Sequence, residues 1–257
     1  MSKVEQQAKH FKSVSEKYFT SRQLPNHLLL KDLMWGHFLK RHQSIKKDQM
    51  LVLEPLCGYG EGKEILEDHL KTKVVYEGFD ISEFLVEAAQ KKHPDSRIFV
   101  GDATTFKPTK KYDLIIVIGG LHHVPDYVET LMASLSDGLN KGGYFIALEP
   151  TQNNRLFKRI RAKTYQKNDF FDEETERAFD LKDLNKLMSD HRLEVIDQMY
   201  PGLLSYILFY NPDVFPWLNI GGKWLVKASF AVDKLFMRNL IGRKLSFATL
   251  TLARKVD

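Results

Sequence analysis

The sequence has few of the features that mark a secreted, membrane-spanning or strongly nucleic-acid-binding protein. Its 257 residues include one cysteine, so no internal disulfide can form. The first residues are polar rather than an apolar signal peptide, and no apolar run reaches the ~18 residues of a membrane-spanning helix. The net charge of +5 comes from interspersed basic and acidic residues, without a basic block. We therefore expect a cytoplasmic protein that binds no nucleic acid.

One stretch, residues 50–62, combines an apolar run with closely spaced glycines. It reads M-L-V-L-E-P-L-C-G-Y-G-E-G, and its first part predicts a buried parallel strand. Gly58, Gly60 and Gly62 predict a tight turn before a helix that begins near Lys63. Glycine suits such a turn because it lets a ligand approach the backbone and tolerates positive φ. The spacing matches neither the G-x-G-x-x-G of dinucleotide-binding turns nor the G-x-x-x-x-G-K-[ST] of phosphate loops.

This stretch resembles motif I of the class I S-adenosylmethionine methyltransferases, whose usual form is acidic-x-G-x-G-x-G. Glu54 takes the acidic position, and Gly58 and Gly60 match the second and third glycines. Leu56 departs from the pattern, because it stands where the first glycine is expected. The resemblance implies that S-adenosylmethionine is the cofactor and that Glu54, Gly58 and Gly60 bind it.

A second predicted strand, at residues 73–80 (K-V-V-Y-E-G-F-D), ends in an acid. Asp80 lies about twenty residues beyond the glycine turn, where a carboxylate can accept both ribose hydroxyls of an adenosine. Negative charge also favours a helix N-terminus, and a helix is predicted directly afterwards, so a structural interpretation stays open. Under the ribose interpretation, Ile81 lies against one face of the adenine.

A third strand, predicted at residues 97–100, leads into Gly101-Asp102-Ala103. In the family that the chain resembles, such a G-D-A places a carboxylate at the adenine amino group and a backbone N–H at the ring. The resemblance therefore implies cofactor-binding roles for Asp102 and Ala103. The structural alternative is a turn aspartate that bonds its own backbone.

The most hydrophobic strand is predicted at residues 112–118, as suits the centre of a parallel sheet. The sequence G-G-L-H-H-V-P-D follows it, in a form frequent in small-molecule methyltransferases. Loops after parallel strands line the ligand crevice, so the resemblance places Gly119 at the cofactor and His122 and His123 near the transferable methyl group. Imidazole titrates near neutral pH, which makes either histidine a candidate catalytic base; loop packing is the alternative.

Taken in order, these patterns predict an α/β fold with a doubly wound, Rossmann-like, seven-stranded mixed sheet and helices on both faces. A fifth strand is predicted at 144–148 after a turn at 141–143, a sixth at 193–199 and an antiparallel seventh at 244–254.

The domain prediction follows from the same patterns. Residues 1–47 predict an N-terminal helical lid, in which the resemblance implies that Tyr18 closes over the cofactor. Residues 48–257 predict the S-adenosylmethionine-binding methyltransferase domain. Residues 200–243 form a hydrophobic insertion before the last strand, with basic and apolar residues mixed. The insertion fits a cap over an apolar substrate, a peripheral contact with a membrane, or ordinary core packing.

The predicted function is transfer of a methyl group from S-adenosylmethionine to a small apolar or amphipathic metabolite, at oxygen or nitrogen, by in-line displacement. We predict no metal site. A lipid, a quinone, a sugar or another metabolite fits equally well as the acceptor. A nicotinamide-dependent oxidoreductase shares the glycine turn and the ribose acid but not the glycine spacing. A non-catalytic cofactor-binding or membrane-associated protein is the third hypothesis, because Leu56 interrupts the motif and residues 200–243 are unusually apolar.

Overall fold

A single sheet of seven strands forms the centre of the computed structural model. The structure describes residues 16–17, 19–154, 158–159 and 177–257. The sheet has the order β3-β2-β1-β4-β5-β7-β6. Its strands are β1 (Gln49–Pro55), β2 (Lys73–Asp80), β3 (Arg97–Val100), β4 (Tyr112–Ile118), β5 (Leu139–Pro150), β6 (Leu193–Met199) and β7 (Ala248–Lys255).

The sheet is mixed, as predicted. Strands β3, β2, β1, β4 and β5 pair in parallel, whereas β7 runs antiparallel to both β5 and β6. The chain moves outward from β1 to β3 on one side and then returns to β4 on the other, so the strand order reverses between β1 and β4. In open α/β sheets, the crevice at the carboxyl ends of the strands beside such a reversal binds the ligand.

Helices cover both faces of the sheet. They are α1 (Pro25–Leu39), α2 (Glu61–Leu70), α3 (Glu83–Lys92), α4 (Val128–Gly138), α5 (Leu181–Asp190), α6 (Leu204–Phe209), α7 (Lys223–Asp233) and α8 (Leu240–Leu245). One hydrophobic cluster joins the sheet to α1, α2, α3, α6 and α7, and a second joins the opposite face to α4 and α5. The predicted doubly wound α/β architecture is therefore confirmed.

Strand β4 shows why the sequence folds this way. Leu114 and Ile116 belong to one cluster, and Ile115 and Val117 belong to the other. Side chains alternate between the faces of a strand, so a strand covered on both faces needs an unbroken apolar run. All four side chains are fully buried. The hydrophobic run at 112–118 is thus the sequence signature of the sheet's central position.

Two local predictions were wrong. The seventh strand begins at Ala248 rather than 244, because α8 occupies the preceding residues. Asn239 caps that helix by accepting the N–H groups of Ile241 and Gly242 at 3.0 and 3.1 Å. The turn predicted at 141–143 lies inside β5, where Gly142 takes a φ of 71° and the register with β4 shifts. Glycine there allows a strand irregularity instead of a turn.

Across residues 19–154 and 177–257, no helix combines the length and apolar character that a membrane crossing requires.

Candidate active site

The turn after β1 is compact and partly left-handed. The Cys57 N–H donates to the Phe79 carbonyl at 2.9 Å, and the Gly60 N–H donates to the Cys57 carbonyl at 2.8 Å. Gly58 and Gly60 have φ values of 51° and 76°. Leu56 also has a positive φ, 54°, which costs a residue with a side chain on the order of 1 kcal/mol. A leucine therefore adopts a left-handed conformation, which glycine tolerates better, at the position of the motif's first glycine.

The Leu56 side chain fits because Gly120 has none. A Cβ built on Gly120 would lie 2.9 Å from the Leu56 Cβ and 2.9 Å from a Val117 methyl carbon. Both distances are shorter than side-chain carbons tolerate. The loops after β1 and β4 thus touch at the point where the strand order reverses.

Glu54 holds the start of α2. Its Oε2 accepts the Gly62 N–H at 2.9 Å and the Tyr76 hydroxyl at 2.5 Å. Burial raises the pKa of Glu54 to about 7, although the bonds from Tyr76 and Gly62 oppose that rise. A Cβ on Gly62 would lie 2.6 Å from the same Oε2. Glycine at 62, two residues beyond the motif, is therefore required by the approach of Glu54.

Asp80 is fixed by the glycine turn and by its own helix. Its Oδ2 accepts the Gly58 N–H at 2.9 Å, and its Oδ1 accepts the Ser82 N–H at 2.9 Å. Burial raises the pKa of Asp80, while the two N–H groups and the charge of His123 lower it. Each carboxylate oxygen keeps acceptor capacity. Apart from its chain neighbours, no atom lies within 4 Å of a Cβ built on Gly58, so the turn is open on that side.

The G-D-A segment lies beside Asp80. The Gly101 N–H donates to the Asp80 carbonyl at 2.9 Å. Asp102 Oδ1 accepts both the N–H and the hydroxyl of Thr104 at 2.8 Å, which is the turn arrangement proposed as the structural alternative. Ala103 is buried and Ile81 is half-buried.

Glu149, at the end of β5, anchors the loop that carries the two histidines. Its side chain is fully buried. Oε1 accepts the N–H groups of Gly120 and Leu121 at 3.0 and 2.8 Å, and Oε2 lies 3.0 Å from the Nδ1 of His122. Burial raises the pKa of Glu149 to about 7, and the Leu121 N–H followed by the charge of His123 opposes the rise. Glu149 was not predicted from the sequence as a site residue.

The two histidines lie against each other, and His122 contacts Glu149. Their ring centroids are 4.0 Å apart at an interplanar angle of 36°. His123 lies close enough for its charge to lower the pKa of both Asp80 and Glu149. A Cβ on Gly119 would lie 3.8 Å from the His122 ring. The structure therefore brings Gly119, both histidines and Asp80 to one edge of the sheet.

The N-terminal segment contacts the glycine turn through aromatic rings. The Phe19 ring meets the Tyr59 ring edge-on at 5.3 Å and the Phe84 ring of α3 at 6.3 Å. Lys31 of α1 forms an ion pair with Glu61, which also accepts the Tyr59 hydroxyl. Sequence reasoning missed these residues and chose Tyr18 instead, which lies outside the described residues. The only signal for Phe19 was its place beside Tyr18.

The family comparison covers most of this sheet. Residues 33–198 match the family model described as a methyltransferase domain. The chain belongs to this methyltransferase family. The predicted class I resemblance is confirmed, and the protein is an S-adenosylmethionine-dependent methyltransferase. The turn that bonds Asp80 is open at Gly58, which leaves room for a ligand there. Membership decides against the nicotinamide-dependent and non-catalytic alternatives.

Relatives of this methyltransferase are distant in sequence. A demethylmenaquinone methyltransferase from Lysinibacillus sphaericus is 22% identical over 182 residues, which span 63% of this chain and 77% of the relative. A methyltransferase structure from Thermotoga maritima has a TM-score of 0.60 at 17% identity and covers 97% of this chain and 99% of its own. Geranyl diphosphate C-methyltransferase from Streptomyces coelicolor has a TM-score of 0.56 at 17% identity, covering 86% and 79%. These two structures support the fold.

Proposed function

We propose that this methyltransferase transfers the methyl group of S-adenosylmethionine to a small apolar or amphipathic acceptor, at oxygen or nitrogen, by in-line displacement. The observation that carries the proposal is the group of four side chains at the carboxyl edge of the sheet: His122 contacts Glu149 and His123, and the charge of His123 acts on Asp80. It combines a carboxylate for a ribose with an imidazole for a proton, at the switch point where such folds bind ligands.

The cofactor supplies an activated methyl group on a sulfonium, so the protein has to bind, orient and exclude water. We assign the ribose hydroxyls to Asp80, because its oxygens keep acceptor capacity beyond the bonds to Gly58 and Ser82. Asp102 and Ala103 then face the adenine, beside Ile81. Cofactor contacts are proposed for the residues predicted from the sequence: Tyr18, Glu54, Gly58, Gly60, Asp80, Ile81, Asp102, Ala103 and Gly119.

The lid assignment of residues 1–47 is part of this proposal. Its support is that Phe19 packs on Tyr59 within the glycine turn and on Phe84 of α3. An aromatic cover at that place excludes water from the cofactor side of the crevice.

Of the two histidines, we assign the base to His122. When its Nδ1–H donates to Glu149, its Nε2 carries the lone pair that can take a proton from the acceptor. A buried carboxylate behind an imidazole fixes the tautomer and stabilises the charged ring. Glu149 is then a positioning residue, and His123 contributes charge between Asp80 and Glu149.

An apolar acceptor is supported by two observations. The distant relative acts, by its name, on demethylmenaquinone, and residues 200–243 keep several large apolar side chains exposed, among them Trp217 and Trp224 at 65% and 71%. An apolar acceptor partitions into a lipid bilayer, so the proposal includes peripheral contact of residues 200–243 with a membrane.

The test is methyl transfer from labelled S-adenosylmethionine into an apolar extract of candidate acceptors, followed by kinetics on the product found. We expect His122→Ala to lower kcat by about 100-fold or more while cofactor affinity stays intact, and His123→Ala to lower it by less than about tenfold. His69→Ala, which changes a histidine paired with Asp32 away from the crevice, is the matched control. Unchanged turnover in both loop variants would remove the base from these residues, and no cofactor binding by calorimetry would overturn the proposed site.

A further inference from the structure

Helix α7 is apolar on two opposite sides. Val226 and Phe230 are buried in the hydrophobic cluster that joins the helices to the sheet. Trp224, Val232 and Leu235, in and just after the helix, are 71%, 48% and 70% exposed. The first side is explained by core packing. The second side, here called the outer face of α7, is not.

The outer face has a basic flank. At roughly 100° per residue, Trp224, Val232 and Leu235 fall within one stripe about 80° wide. Lys223, Lys227 and Lys234 fall together on one flank of that stripe, and all three are exposed. Within the described part of the chain, none of these lysines forms an ion pair.

Acidic and basic side chains in residues 200–247 differ in burial. Every exposed charged side chain in residues 200–247 is basic. The two acids of the segment are buried: Asp213 lies 3.2 Å from the Arg22 guanidinium, and Asp233 accepts the Ser205 N–H at 2.7 Å. No carboxylate of the segment therefore neutralises the lysines at the surface.

The segment is folded onto the domain, which fixes the outer face in place. Arg22 donates to the Tyr210 carbonyl at 2.6 Å and lies 5.4 Å from the Tyr210 ring. The Asn26 amide donates to Asn219 at 2.9 Å. These bonds tie Tyr210 and Asn219 to the first turn of α1 and to the residues just before it. Further exposed apolar side chains lie before and after α7: Trp217, Ile220, Leu240 and Ile241.

We infer that the outer face of α7 docks on an anionic lipid surface. Tryptophan prefers the boundary between headgroups and acyl chains, and lysines beside it are attracted to anionic lipid. A second copy of the chain is a poorer occupant, because a two-fold interface through this face would bring the lysine rows together. The inference rests on the proposed function in one respect. An apolar acceptor gives the protein a reason to contact a membrane.

The test is sedimentation of the full chain with phosphatidylcholine vesicles that contain either none or about a third phosphatidylglycerol. We expect binding only to the anionic vesicles, weakened by added salt. Tryptophan emission should shift to the blue on binding. Trp35 is fully buried, so the shift reports Trp217 and Trp224. Changing Lys223, Lys227 and Lys234 together to glutamate should weaken partitioning of the protein onto anionic vesicles about 100-fold, because each lysine contributes roughly fivefold.

Matched variants separate docking from general charge and apolarity. The reversal of Lys46, Lys91 and Lys107, which are exposed elsewhere, changes net charge equally and should weaken partitioning far less. Trp224→Ser should reduce binding to anionic vesicles. Ile196→Ser should not, because Ile196 is an exposed apolar residue (48%) on β6, outside the outer face of α7.

Two outcomes would overturn the inference. The first is equal binding to neutral and anionic vesicles, or none to either. The second is loss of self-association, without loss of vesicle binding, in the lysine-to-glutamate variant. Cofactor affinity measured by calorimetry on the same variants should match that of the wild type, so that a failure of docking and a failure of the proposed cofactor site give different results.

Discussion

The carboxyl edge of the sheet and the segment at 200–247 differ in how their charged side chains are placed. At the edge of the sheet, Glu54, Asp80 and Glu149 are all held by backbone N–H groups. In the segment, the acids Asp213 and Asp233 are buried and every exposed charge is a lysine or arginine. A fixed carboxylate can select one ligand geometry, whereas a row of exposed lysines attracts any anionic surface. The first region is therefore suited to bind one specific ligand, and the second is suited to bind anionic surfaces in general.

The largest expected effect on stability compares a buried and an exposed aromatic side chain of residues 200–243, Phe209 and Trp224. Phe209 is fully buried in the main cluster, whereas Trp224 is 71% exposed. We expect Phe209→Ala to lower the free energy of unfolding by about 3 to 5 kcal/mol and Trp224→Ala to change it by less than about 0.5 kcal/mol. Denaturant unfolding measures both. Equal losses in the two variants would mean that the outer face of α7 belongs to the core.

The next largest expected effect concerns Asp80, whose carboxylate is held by the N–H groups of Gly58 and Ser82. Asp80→Ala should weaken S-adenosylmethionine binding by about 1.5 to 3 kcal/mol, because charge-assisted hydrogen bonds are lost. Asp48→Ala, at an exposed acid before β1, should leave the affinity unchanged. Calorimetry decides between them, and wild-type affinity in the Asp80 variant would end the ribose assignment.

The smallest effect concerns the pH dependence of a buried acid. Burial raises the pKa of Glu54 from an ordinary 4.5 to about 7, so between these values the native state binds more protons than the unfolded state. Stability should therefore fall as pH rises through this window. From about pH 5.5 to about pH 7, the wild type should lose about 1.5 kcal/mol relative to Glu54→Gln, which has no proton to release. Parallel stability curves for the two proteins would contradict the raised pKa.

Much of the sheet could be predicted because its signals are local. The bounds of β2, β3, β4 and β6 agree with the sequence prediction, since each is an apolar or alternating run between turn residues. The start of the seventh strand was predicted too early, at 244 instead of 248. The alternating pattern begins in the last residues of α8 and continues into β7. Pattern alone does not distinguish one helical turn from two strand residues.

Site residues could be predicted only where one local sequence motif identifies them. Asp80 follows from its strand, whereas Glu149 needs the pairing of β5 with β4 to bring it to the loop at His122. Likewise, periodicity groups Phe230 and Trp224 as apolar residues of one helix, but which of them is covered depends on where α1 lies. Contacts between distant segments are absent from any local pattern.

The contact between Leu56 and Gly120 also couples the residues that these two positions can hold. A chain with glycine at both positions can accept leucine at 56 in a single substitution, since the space above residue 120 is empty. A chain with alanine at 120 cannot, because its Cβ would already lie 2.9 Å from Val117 and from the incoming side chain. Leucine at 56 is therefore compatible only with glycine at 120, so the departure from the motif in one loop depends on the absence of a side chain in another.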